Sequence, residues 1–214
     1  MKVTSMPVRI GILTVPQRDD EALQIVRRRL QEMVPGAIFS QESSASSQRN
    51  WIEEILRRWC DEEELDLVIT IGGTLPAPGP SNAEIVPEAT LGVVERLLPG
   101  LPEAMRAYAQ EQSALALLDR STAGIRGRSC ILNLPGGAAP AALFLEAVVE
   151  LLAPLVAHLQ GEPTAPRLAD VLEIEQNQAE TRLGATQTGH SKGLDAEEFA
   201  AFLKRSAKDD RTTA

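Results

Sequence analysis

The sequence predicts a three-layer α/β domain with a mainly parallel sheet. Two observations carry that prediction. Short apolar runs rich in β-branched residues alternate along the chain with longer segments whose apolar residues repeat at helical spacing, as in sheets covered by helices on both faces. Two of the runs, Leu67–Ile71 and Arg128–Leu132, lead into glycine turns, Gly72-Gly73-Thr74 and Asn133-Leu134-Pro135-Gly136-Gly137. Glycine at a strand end lets the backbone turn sharply and approach a ligand closely, and in α/β sheets ligands bind outside the carboxyl ends of the strands.

The first strand is predicted at Val8–Val15 (VRIGILTV), apolar enough for a central position. Asp19 and Asp20 open a helix with Leu23, Ile25, Val26, Leu30 and Met33 on one stripe, and Pro35-Gly36 ends it. Ala37–Phe39 reads as a short second strand and the serine-rich Ser40–Gln48 as a loop. Trp51, Ile52, Ile55, Leu56 and Trp59 then recur at helical spacing, which makes the tryptophans core or interface anchors. Asp61–Glu64 reads as a solvated acidic corner before the central strand Leu67–Ile71.

After the first glycine turn comes a loop rich in proline, and Pro87 suits a first helical turn. That helix is expected to carry Ala89, Leu91, Val93, Val94 and Leu97 and to break at Pro99-Gly100. A helix over Pro102–Gln112 follows, then strands at Ser121–Gly124 and Arg128–Leu132 around a turn at Arg126-Gly127. Pro140 begins an apolar helix reaching His158, with a bend expected at Pro154.

Composition narrows the function classes. The 214 residues hold one sizeable domain, read as 1–161, and a polar tail, 162–214, in which Leu194–Arg205 is amphipathic with Phe199 and Phe202 on its apolar side. A formal net charge of −9 argues against a nucleic-acid binder, which needs a basic face, and makes any anion site depend on local arginines. Arg18 and Arg126, both at turns beside strand ends, are the candidates. Cys60 and Cys130 lie in apolar patterns and are expected as buried thiols rather than a disulfide or a metal pair. No signal peptide or membrane span is read, so the cytoplasm is the expected compartment, with no nucleic-acid or membrane partner. His158 and His190 have no partner that suggests acid–base work, and no Ser-His-Asp arrangement is apparent.

In order and spacing, ITIGGT, PEAT, LPGLPEAMR and AGIRGRSCILNLPGG resemble the molybdopterin-binding domains of molybdenum-cofactor biosynthesis, which include molybdopterin adenylyltransferase and a domain of gephyrin. The resemblance covers about Val8 to Gly161. It implies a three-layer α/β domain, a homotrimer, molybdopterin as the ligand and, in enzyme members, transfer of AMP from ATP with Mg2+. Carried over residue by residue, it places Gly72, Gly73 and Thr74 at phosphate or pterin, and Asn133, Leu134, Pro135 and Gly136 on the facing wall.

This chain also departs from the family. Leu75-Pro76 stands where a further glycine is usual, and Pro76, Pro78 and Pro80 lack N–H donors. Ala83-Glu84 stands where the family has Arg-Asp, so Glu84 is the candidate catalytic carboxylate and magnesium ligand. Pro16-Gln17-Arg18 replaces a Ser-Asp-Arg, and Glu42 is the only carboxylate near the position of another family aspartate. Two readings follow: an adenylyltransferase, or a non-catalytic pterin- or nucleotide-binding scaffold of the same fold.

Overall fold

The computed structural model describes residues 7–76 and 85–162. Glu84, Ala83, Pro78, Pro80 and the Leu194–Arg205 segment lie outside them. Six strands form one sheet in the order β2-β1-β3-β6-β5-β4. Here β1 is Val8–Thr14, β2 Ala37–Ser44, β3 Leu67–Ile71, β4 Arg96–Leu97, β5 Ala123–Arg126 and β6 Ser129–Leu134. The first four in that order run parallel, and β5 and β4 are antiparallel additions at one edge.

The helices are α1 Asp20–Met33, α2 Arg49–Asp61, α3 Val86–Leu91, α4 Gly100–Ala109, α5 Ala138–Glu146 and α6 Val149–Gln160, with a 3₁₀ turn at Ala114–Leu118. Alternation along the central strands sorts them into two layers. Ile10, Ile12, Leu67, Ile69, Leu132 and Leu134 point into a core shared with α1, α4, α5 and α6. Leu13, Val68 and Ile131 point the other way, into a core with α2 and α3. Trp59 is fully buried in the second core, whereas Trp51 is 47% exposed. Gly11 of β1 makes room there, since a Cβ would stand 2.6 Å from Leu65 and 2.8 Å from the Trp59 ring.

Four expectations are corrected. β2 continues through the serine-rich segment to Ser44, which pairs with Thr14, and its register slips between Ile10 and Gly11, leaving Ser40 unmatched. An edge strand needs only its main-chain ladder, so its side chains carry little apolar signal. The helix from Pro87 stops at Leu91 and is capped at Gly92. The chain then extends into β4, because Glu95 N–H bonds to Ile125 O and Leu98 N–H to Ala123 O. The hairpin turns at Gly127-Arg128, with Arg126 opposite Ser129 and Gly127 at φ +56°. Finally, the apolar C-terminal helix breaks between Glu146 and Val149, where α5 and α6 meet at 62°. Pro154 sits inside α6, where its missing N–H leaves only the carbonyl of exposed Glu150 without a helical donor. No single helix among the described residues is long and apolar enough to cross a membrane.

Candidate functional site at the carboxyl ends of the parallel strands

Three chain turns meet beyond the carboxyl ends of β1, β3 and β6. Val15 N–H donates to Ile71 O at 2.8 Å and Gly72 N–H to Leu134 O at 2.9 Å, so main-chain hydrogen bonds lace the turns together. Gly72 has φ +96° and Gly73 φ +66°, conformations that L side chains rarely adopt. A Cβ on Gly72 would stand 2.0 Å from the Val15 carbonyl oxygen. The absence of a side chain there serves the packing of one turn on another. Gly136 differs: a Cβ would meet only Gly72 Cα, at 3.4 Å.

Pro135 and Gly136 each border a cavity. An apolar cavity of about 470 Å³ is lined by Leu75, Ala116, Pro135, Pro140, Leu143 and Phe144, among others. A more polar one of about 470 Å³ is formed by the chain from Val15 to Glu21 and by Gly136. Arg18 lines the polar cavity, half-exposed and paired with Asp20 at 2.6 Å.

Asp19 joins α1 to the second glycine turn. Its Oδ1 accepts from Ala22 N–H at 3.0 Å, capping α1, and its Oδ2 accepts from Gly137 N–H at 3.2 Å, where α5 begins. A carboxylate at a helix N-terminus is favourable because free N–H groups and the helix dipole converge there. The sequence marks Asp19 as a helix opener, but nothing local points to its second partner, 118 residues away.

The remaining predicted residues divide into those that face the cavities and those that do not. Asn133 is buried, with Nδ2 donating to Thr70 Oγ1 and Thr90 Oγ1, both at 2.9 Å, and Oδ1 accepting from Thr122 N–H at 3.3 Å. All three partners are protein groups, so its side chain ties β6 to β3, α3 and the approach to β5. Leu134 lies wholly in the core. Of the expected facing wall, only Pro135 and Gly136 border the cavities. Thr74 is fully buried, its hydroxyl donating to Asp119 Oδ2 at 2.5 Å.

Arg126 is placed elsewhere. It pairs with Ser129 at the start of β6, at the opposite end of that strand from the glycine turns, and grips Asp61 with Nε and Nη2 at 2.6–3.1 Å. These hydrogen bonds hold the Asp61 carboxyl below its ordinary value and raise the Arg126 guanidinium above its own. Among the described residues no three of His, Cys, Asp and Glu gather closely enough to hold a metal ion.

Sequence reading missed the segment Asp119–Ser121, which crosses the first glycine turn. Arg120 N–H donates to Thr74 O at 3.1 Å, and its guanidinium pairs with Glu88 at the start of α3. Glu88 lies in the PEAT motif, but its arginine partner is 32 residues away.

A mainly parallel sheet covered on both faces, with abutting glycine turns and two cavities at its carboxyl ends, defines an α/β ligand-binding domain. Residues 13–158 match the model of the probable molybdopterin binding domain, and the chain belongs to that family. It is 35% identical over 147 residues to a molybdopterin adenylyltransferase of Helicobacter pylori, covering 66% of this chain and 81% of that protein. To the molybdopterin adenylyltransferase of Escherichia coli K12 it is 29% identical over 157 residues, 71% of this chain and 78% of that protein. The crystal structure of the molybdopterin biosynthesis enzyme MoaB from Thermus thermophilus superposes with a TM-score of 0.64 at 36% identity, covering 73% of this chain and 98% of that one.

Proposed function

We propose that this chain acts in molybdenum-cofactor biosynthesis, binding molybdopterin at the carboxyl ends of β1, β3 and β6 and accepting MgATP as the AMP donor. The observation that carries the reading is the meeting of the two glycine turns beside Arg18, in a chain 35% identical to a molybdopterin adenylyltransferase. Such a transfer brings an attacking phosphate in line with a triphosphate, so the protein acts through position and charge. Gly136 leaves the backbone open to a ligand, Arg18 supplies positive charge, and the apolar cavity beside Pro135 accepts the less polar part of the substrate. Magnesium, when bound with ATP, would offset phosphate charge. It commonly takes one or two carboxylates together with phosphate oxygens and water, and Glu84 is our candidate for one of them.

A second reading is favoured by the first turn itself. Leu75 is 47% exposed where the turn leaves β3, Pro76 offers no N–H, and the Thr74 hydroxyl is already donated to Asp119. A site short of donors holds pterin better than triphosphate, which makes the chain a binding member with weak transfer. Calorimetry with molybdopterin and MgATP, separately and together, followed by an adenylylation assay of wild type and Glu84→Gln, decides between the two. Enzyme-like transfer abolished by Glu84→Gln supports the first reading; pterin binding with negligible transfer supports the second; no pterin binding refutes both.

Assembly as a homotrimer in the cytoplasm completes the proposal. Leu115, Leu117 and Leu118 are each more than half exposed on the 3₁₀ turn and offer apolar surface for subunit contact. Sedimentation equilibrium giving a monomer at micromolar concentration would count against it.

A further inference from the structure

We propose that Asp119 is a positioning residue that orders the first glycine turn, Gly72–Leu75, without touching ligand itself. Asp119 is 4% exposed and Thr74 is fully buried. The Thr74 hydroxyl donates to Asp119 Oδ2 at 2.5 Å, so its one proton points at that carboxyl oxygen. The other carboxylate oxygen accepts from Ser121 N–H at 2.8 Å. Thr74 is held a second time through its carbonyl, which accepts from Arg120 N–H at 3.1 Å.

The segment that does the holding is itself braced from α4. Arg106 Nη1 donates to the Ser121 carbonyl at 3.2 Å and reaches the Asp119 carbonyl at 3.4 Å. The end of β3 is thus fixed from a strap 45 residues away in sequence. A turn containing two positive-φ glycines has many accessible conformations, and a strap of this kind selects one before ligand arrives. One consequence is chemical. The single proton of the Thr74 hydroxyl is committed, so this side chain does not donate to a phosphate, and the turn contributes through its backbone.

The ordering of the turn stands without any ligand, whereas its effect on affinity rests on the pterin reading above. Two readouts on the full-length protein separate them. In the unliganded protein, amide hydrogen exchange of the peptide covering residues 72–76 should rise about tenfold or more in Thr74→Val and in Asp119→Ala, the loss of a hydrogen bond to a carboxyl group. The double variant should exchange no faster than Asp119→Ala alone, because Thr74→Val then removes a bond already lost. Thr74→Ser, which keeps the hydroxyl, should restore wild-type exchange, and peptides from α1 should be unchanged throughout. Calorimetry with molybdopterin should show a loss of affinity of about tenfold in the two singles, restored in Thr74→Ser. Unchanged exchange at 72–76 in both singles, or effects that multiply in the double variant, would overturn the proposal. If wild type binds no molybdopterin, the pterin reading falls and the exchange data still decide the role of Asp119. If Asp119→Ala does not fold, Thr74→Val against Thr74→Ser carries the test.

Discussion

Replacing Gly72 and Gly136 one at a time by alanine separates a packing role from a ligand-facing one. At Gly72 the added Cβ would lie 2.0 Å from the Val15 carbonyl oxygen, and real Cβ contacts essentially never fall below 3.0 Å. The two backbones must therefore part by about 1 Å, against the Val15–Ile71 and Gly72–Leu134 hydrogen bonds that draw them together. The φ of +96° adds its own penalty. Left-handed backbone costs an L-residue about 1–2 kcal/mol, and overpacking costs about 1–3 kcal/mol, so Gly72→Ala should destabilise by about 2–5 kcal/mol. At Gly136 the Cβ would meet Gly72 Cα at an ordinary 3.4 Å, and the stability change should lie within about 0.5 kcal/mol. Urea unfolding followed by far-ultraviolet circular dichroism reads both changes from the transition midpoint at constant slope. Equal midpoints for Gly72→Ala and wild type, or an equally large fall for Gly136→Ala, would refute the reasoning. The bulkier Gly136→Val should keep the fold while weakening molybdopterin binding, and unchanged affinity would remove that turn from the site.

Asn133→Ala should lower stability by about 2–4 kcal/mol in the same unfolding assay, since it leaves Thr70, Thr90 and the Thr122 N–H without their buried partner. Both cysteines should resist a thiol reagent at pH 8 in the native protein and react once it is unfolded. Burial pushes the Cys60 thiol up to about 11 and Cys130 up to about 12, which keeps both protonated. Asp61→Asn should cost less than about 1 kcal/mol at pH 7, because the pair with Arg126 is part-exposed. The sign of its pH dependence follows from the lowered Asp61 value: the contribution is present above the ordinary aspartate range and is lost as pH falls through the lower folded value. Urea midpoints of wild type and Asp61→Asn should therefore converge in acid, and a gap that widens there would contradict the assignment.

The sequence by itself determined the layers. Apolar runs at Val8–Thr14 and Leu67–Ile71, amphipathic spacing in α1 and α2, Asp19 as a helix opener and two glycine turns at strand ends are all local patterns. Each reports which face of a short segment is buried, and that is what periodicity records. The family motifs lie in the same segments. Tertiary structure decided everything that depends on which strands become neighbours. The polar half of β2 is a strand because β1 offers it a main-chain partner, and β4 is extended because β5 does. Gly72 is required by the carbonyl of Val15, at the end of a different strand, rather than by its own turn. Arg126 leaves the candidate site for Asp61 because the β5–β6 hairpin carries it to the other end of the sheet. Thr74 and Asp119 meet only because β6 lies beside β3 and β5 lies beyond β6. A hydrogen bond across 45 residues leaves no periodic trace in either segment, since its geometry is fixed by strand order and not by the residues on either side of it.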